Sequence, residues 1–220
     1  MLGICIAALV LIVPRLLCAQ EAPPRIGPFV VDFHGIMPKF GDSADLALSR
    51  DLSPAELPGL SLGATGGFHV YLPKIAGVTV GLGGEALITR AHSDPPGSVV
   101  DPNTGLSTPS SLRPVTETFK SISPQLSLNF GNGNGWSYLS VGIGRSLWSI
   151  VPDGTQPRPP DEEPIRTINY GGGARWFIKP HLAFSLDVRL YEIDAGTPTL
   201  DLQGSPRTVL LVIGAGISIR

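Results

Sequence analysis

Hydrophobic and polar positions alternate with a period of two along most of this chain, the mark of strands with one apolar and one polar face. The cleanest stretch is 167–191, two alternating runs that reverse at Lys179-Pro180. In the first run Ile168, Tyr170, Ala174 and Trp176 share a face, opposite Asn169, Gly171, Gly173 and Arg175. In the second, Leu182, Phe184, Leu186, Val188 and Leu190 oppose Ser185, Asp187 and Arg189. The same pattern predicts strands over about 29–34, 60–72, 77–89, 118–130, 138–147 and 209–219. In the last of these the face opposite Val209, Leu211 and Ile213 reads as small residues. Pro124 falls inside a strand and predicts a bulge. No stretch beyond the N-terminal twenty residues calls for a helix.

The connections are sorted by length. Long polar segments cover about 38–57, 92–114, 152–164 and 194–206, whereas 73–76, 131–135 and 178–181 are tight turns. Alternating long and short connections between an even number of strands are the plan of a membrane-spanning barrel, and a sandwich has no reason to follow it. The expected fold is therefore all-β, an eight-stranded antiparallel transmembrane β-barrel in the outer membrane of a Gram-negative cell. Its apolar face would meet lipid, its polar face a lumen, and its long loops the exterior. Aromatic residues near strand ends (Phe68, Tyr71, Phe130, Trp136, Trp148, Trp176, Phe177) are expected in interfacial girdles. A soluble, exported lipocalin-like barrel inverts the alternation and binds an apolar ligand. Its water-facing side would carry many lysines and glutamates, and these strands have almost none.

The ends sharpen the picture. Leu2–Val13 is apolar and is followed by Leu17-Cys18-Ala19, which predicts a cleavable signal peptide over 1–19 and a barrel domain over 20–220. A lipoprotein acylated at Cys18 is the rival, although Leu17 stands where such sites carry a small residue. Both cysteines, Cys5 and Cys18, lie in this leader, so the mature chain has no disulfide framework and no cysteine metal site. A net charge of −2 gives no basic surface for nucleic acid.

If the polar face is a lumen, it holds Asp32, His34, His69 and Gln125 together with Glu85, Arg175, Asp187 and Arg189. Eight strands leave an interior that side chains fill. Buried charges must pair, so Glu85 and Asp187 against Arg175 and Arg189 predict an ion-pair core. A narrow gated passage is the functional alternative. Catalysis by a lipid-modifying hydrolase or acyltransferase is a further one, with His92-Ser93-Asp94 near the outer rim, but triad members normally converge from separate elements. Four scattered histidines have no metal-ligand spacing. The glycine runs at 131–135 and 171–173 open no helix, so they are not phosphate loops and no cofactor is expected.

The segment GGGARWFIKPHLAFSLDVRLYE resembles the penultimate hairpin of small OmpA-like and OmpW-like porin-type outer-membrane barrels, with its Gly-rich strand, Arg-aromatic pair, Pro-His turn and closing L-x-V-R strand. The resemblance implies a non-enzymatic integral outer-membrane protein with a structural, adhesive or narrow-pore role. It also implies outer-membrane lipids, lipopolysaccharide, periplasmic chaperones and the barrel-insertion machinery as partners. Such barrels usually finish on an aromatic residue, whereas this sequence finishes on Ile219-Arg220.

Overall fold

The computed structural model of the chain describes residues 24–41, 43–100 and 103–220. The expected leader over 1–19, with both cysteines, lies outside them. The elements in order are β1 (Phe29–Lys39), α1 (Ala44–Leu48), a 3₁₀ turn (Pro54–Glu56), β2 (Leu62–Tyr71), β3 (Val78–Ser93), β4 (Ser98–Val100) and β5 (Ser107–Pro109). They continue with β6 (Val115–Asn132), β7 (Gly135–Pro152), α2 (Pro159–Glu162), β8 (Pro164–Lys179), β9 (Leu182–Ile193) and β10 (Thr208–Ile219). Eight strands close into an antiparallel barrel in the order β1-β10-β9-β8-β7-β6-β3-β2, while β4 and β5 form a separate hairpin. The four long connections lie at one end and the tight turns at the other.

The register fixes the barrel's geometry. Stepping strand to strand from Val78 through Phe130, Ser137, Ala174, Leu186, Ala215, Gly35 and Ala64 returns to β3 at Ile88, ten residues farther along. A shear of that size over eight strands tilts them by about 40° and leaves an interior that side chains fill.

The two faces of each strand separate as the alternation requires. Leu186, Val188 and Ile213 on the outside are 41%, 49% and 54% exposed, while Arg189 on the inside is 3% exposed. A lipocalin has the opposite arrangement. A continuous exposed apolar belt of this extent needs a hydrocarbon surround, so the chain is a membrane-spanning β-barrel.

Several local expectations give way. Pro124 makes no bulge: β6 and β7 keep one register on both sides of it, from Ile122 opposite Arg145 to Gln125 opposite Gly142. The proline costs only local pairing, and the one register shift in the barrel wall falls at Phe177/Lys179. Pro38 lies within β1 rather than in a loop. The inward face of β10 is not all small, because Leu210 and Val212 are buried there. The outer loops contain short helices and the β4-β5 hairpin, since loops long enough to reach back over the mouth must satisfy their own backbone groups.

The girdle also divides. Phe68, Phe130 and Trp176 face outward and are exposed, but Tyr71, Trp136 and Trp148 are buried inside, and Phe177 packs against Trp136. Even-numbered positions of β7 point inward, so Trp136 and Trp148 follow the parity of Tyr138 and Ser140.

Candidate functional site

The interior divides into three tiers. At the short-turn end Val30, Tyr71, Trp136 and Tyr138 form an apolar cluster, with Ile26 and Phe177 packed on it. Gly131, at φ 139, lets the chain reverse between β6 and β7. The N–H of Gly133 in that turn donates to the Pro24 carbonyl, which draws the segment before β1 under the barrel. Arg220 donates to the Gly133 and Pro180 carbonyls and lies 4.1 Å from the Phe177 ring centroid.

The middle tier is polar. Arg175 on β8 donates from Nε and Nη2 to the two carboxylate oxygens of Asp32 on β1, at 2.9 and 2.6 Å. Its guanidinium sits 4.1 Å from the centroid of the Tyr138 ring. Asp32 also accepts from Ser218, and His69 Nδ1 lies 3.7 Å from it. Arg189 on β9 donates to both oxygens of Asp187 at 3.2 Å and to Gln125 and Asn169 at 2.9 and 3.0 Å, with Glu85 3.5 Å away. Tyr138 donates to Asp187 at 2.6 Å, and Tyr191 donates to Glu85. His34 Nε2 lies 2.7 Å from Ser185 Oγ.

All eight residues singled out from the sequence (Asp32, His34, His69, Glu85, Gln125, Arg175, Asp187, Arg189) line this one tier. The pairing differs from the expected one, because Arg175 takes Asp32 rather than Glu85 or Asp187. The triple-glycine run makes the space: a Cβ on Gly173 would sit 2.6 Å from the Tyr138 hydroxyl, and one on Gly171 2.7 Å from the Cα of Arg189. What remains free among these side chains is about 10 Å³, room for one water at most.

The upper tier joins barrel and loops. Phe119, Trp148, Tyr191, Ile150 and Leu210 pack against Leu46, Leu52 and Leu57 from the connection between β1 and β2. Arg50, 2% exposed, fastens that connection. It donates to Asp161 of α2 at 3.0 Å and to the Trp148 and Pro160 carbonyls, both at 3.1 Å. Asp161 accepts in addition from the backbone N–H of Ile150 and of Arg158. Glu117, also buried, accepts from the Trp148 indole at 2.6 Å.

Above this plug the loops enclose a bowl of about 760 Å³, lined by residues that include Leu52, Leu202, Arg113, Arg158, Asp51 and Glu56. Glu56 clamps two loops together. It accepts from the N–H of Ser53 at 2.6 Å, the N–H of Arg113 at 2.8 Å and Arg113 Nε at 3.0 Å. Burial opposes its charge, but the hydrogen bonds from Arg113, Ser53 and the Arg113 backbone outweigh burial and hold the carboxyl below its ordinary 4.5. A depressed carboxylate stabilises the fold above its ordinary value, and that contribution is lost as pH falls through the folded value. Amide-exchange protection at Ser53 and Arg113 is thus expected to decline as pH drops below about 4.5 and to show no such step in Glu56→Gln. Equal pH profiles in the two proteins would contradict the clamp.

The His92-Ser93-Asp94 run does not assemble as a catalytic group. Ser93 donates to the Glu56 carbonyl rather than to His92, whose Nδ1 lies 3.3 Å from Thr116 Oγ1 on the outer rim. The Ser185–His34 pair has a nucleophile–base distance but no space for a substrate beside it. Among the described residues no three His, Cys, Asp or Glu side chains gather in a way that holds a metal ion. The sequence reading missed Arg50, Asp161, Glu117 and Glu56. For Arg50 and Glu56 the visible signal was the apolar Leu46, Leu52 and Leu57 in the same, otherwise polar loop; Asp161 in α2 and Glu117 in β6 had none of that kind.

Among solved structures the chain is similar to Neisserial surface protein A, with a TM-score of 0.52 at 11% identity over 88% of this chain and 97% of that one. Ail, the attachment invasion locus protein of Yersinia pestis, gives 0.49 at 12% identity over 88% and 100%. The outer membrane protease OmpT from Escherichia coli gives 0.41 at 11% identity over 74% and 64%. The first likeness is one of fold alone, that of a small eight-stranded outer-membrane barrel, and the other two are too loose to carry anything further. No family model and no curated protein matches the sequence.

Proposed function

We propose that this chain is a closed, non-conducting barrel of the cell outer membrane that acts without catalysis, by presenting its folded loops to an external partner. One observation carries the reading: the lumen is filled from end to end, by aromatic rings below, a hydrogen-bonded ion-pair layer at mid-height, and the Arg50-fastened loop plug above. A passage needs water along its axis, and the middle tier has room for one molecule. The bowl at the mouth is the surface left for binding. It is wide and half-polar, and it is held on a rigid base rather than on free loops. In this reading the chain reaches its membrane by export, chaperone escort and assisted barrel insertion.

Planar-bilayer recordings test it. The parent is expected to show no sustained conductance, and Glu85→Gln with Arg175→Gln to show brief, unstable openings as the ionic layer loses its partners. Steady single-channel currents in the parent would overturn the closed-barrel reading.

A further inference from the structure

Four cations on the outside of the barrel have no counterpart in the interior network. Arg90 on β3, Lys120 on β6, Arg145 on β7 and Arg166 on β8 all point outward and are exposed. Among the described residues none of them makes an ion pair or a side-chain hydrogen bond. The register makes them neighbours. Arg90 pairs with Thr118, two residues before Lys120; Lys120 pairs with Leu147, two residues after Arg145; Arg145 lies directly opposite Arg166. Diagonal neighbours of this kind are about 7–8 Å apart and direct ones about 5 Å.

This staircase is level in the membrane. It steps toward the short-turn end by four residues over three strand pairs, close to the ten over eight that the barrel's shear imposes on any line of constant height. Its depth follows from the outward-facing aromatics. Lys120 to Phe130 on β6 and Arg166 to Trp176 on β8 are each ten residues. At about 3.3 Å per residue and a tilt of about 40° that is about 25 Å, the height of a barrel's apolar band. Exposed Phe29, Phe68, Phe130, Trp176 and Phe184 thus mark the interface at the short-turn end, and the four cations mark the opposite one.

Between the steps lies an apolar groove of about 420 Å³, lined by Ile88, Ile122, Leu147 and Pro164 together with Lys120 and Arg145. The nearby carboxylates, Glu192 on the adjoining strand β9 and Asp194 just after it, are already bonded to Tyr170 and Arg207. Like charges set directly opposite repel. At the edge of hydrocarbon, Arg145 and Arg166 need an anion between them that itself lies in the membrane surface.

We infer that the Arg90–Lys120–Arg145–Arg166 staircase is a binding site for a phosphate-bearing, multiply acylated membrane lipid of the long-loop leaflet, its phosphates on the cations and an acyl chain in the groove. This rests on the membrane reading above and adds a specific ligand class to it. Guanidinium groups recognise phosphate through paired N–H donors, and the groove supplies the apolar half of the contact.

The test uses the parent, Lys120→Gln/Arg145→Gln/Arg166→Gln, and the off-staircase control Lys39→Gln. Each is inserted into phosphatidylcholine nanodiscs doped with bisphosphorylated lipid A or its dephosphorylated form. Retained glycolipid is then read by native mass spectrometry after mild detergent extraction. Parent and Lys39→Gln are expected to retain the phosphorylated form selectively. The triple variant should bind it about a hundredfold more weakly, about fivefold for each basic group lost at a charged lipid surface. Equal retention by parent and triple variant, or no preference for the phosphorylated form, overturns the site while leaving the barrel reading intact. Failure of the parent to insert into phosphatidylcholine alone overturns both.

Discussion

Arg175→Met is expected to be among the most damaging single changes in the barrel interior, lowering stability by about 3–5 kcal/mol, the usual cost of removing one partner from a buried ion pair. The side chain is buried and gives both carboxylate oxygens of Asp32 a donor, while its guanidinium covers the Tyr138 ring. Methionine fills much of the same volume, so the loss is electrostatic rather than steric. Asp32 would then keep only Ser218, with His69 nearby, in a tier with almost no water. The companion change Asp32→Asn removes the stranded charge, and the double variant is expected to regain more than half of the loss. Urea titration in lipid vesicles, followed by the heat-dependent gel shift of folded barrels, measures both. A single variant within about 1 kcal/mol of the parent would show that the ion pair is not holding the wall together.

Arg50→Ala is expected to release the loops and leave the barrel standing. Removing this arginine deprives Asp161 and the Trp148 and Pro160 carbonyls of a shared donor. A buried carboxylate and two buried carbonyls are then short of partners, which costs about 3 kcal/mol locally. Local stability of that size governs loop opening rather than global unfolding. Limited proteolysis is therefore expected to cut the variant within 43–60 and 153–163 under conditions that spare the parent. The heat-dependent gel shift should stay unchanged. Resistance equal to the parent's would remove Arg50 as the fastener of the plug.

Most of the wall was legible in the sequence because a two-residue period assigns each strand position to lipid or lumen without knowing the neighbours. That logic placed Asp32, Glu85, Asp187 and Arg189 in one compartment. It could not choose partners, since choosing them needs the offset between strands that closure imposes. Asp32 on β1 and Arg175 on β8 are three strands apart in the closed order and meet through the lumen. Parity also placed Trp136 and Trp148 inside, yet aromatic character alone argued for the interface, and parity was the sounder guide. The plug was hardest to see. Arg50 and Asp161 belong to loops without periodicity, 111 positions apart, and only packing on Trp148 and Phe119 brings them together.

The pairing of β1 with β10 has a consequence for how this molecule comes into being. The strands most distant along the polypeptide share a seam, so no partial chain can cover its own borders. Until the last strand docks, both rims keep unpaired amides and carbonyls, and any strand-like visitor can template on them. Such long-range closure is slow, and the unzipped intermediate needs custody in the meantime.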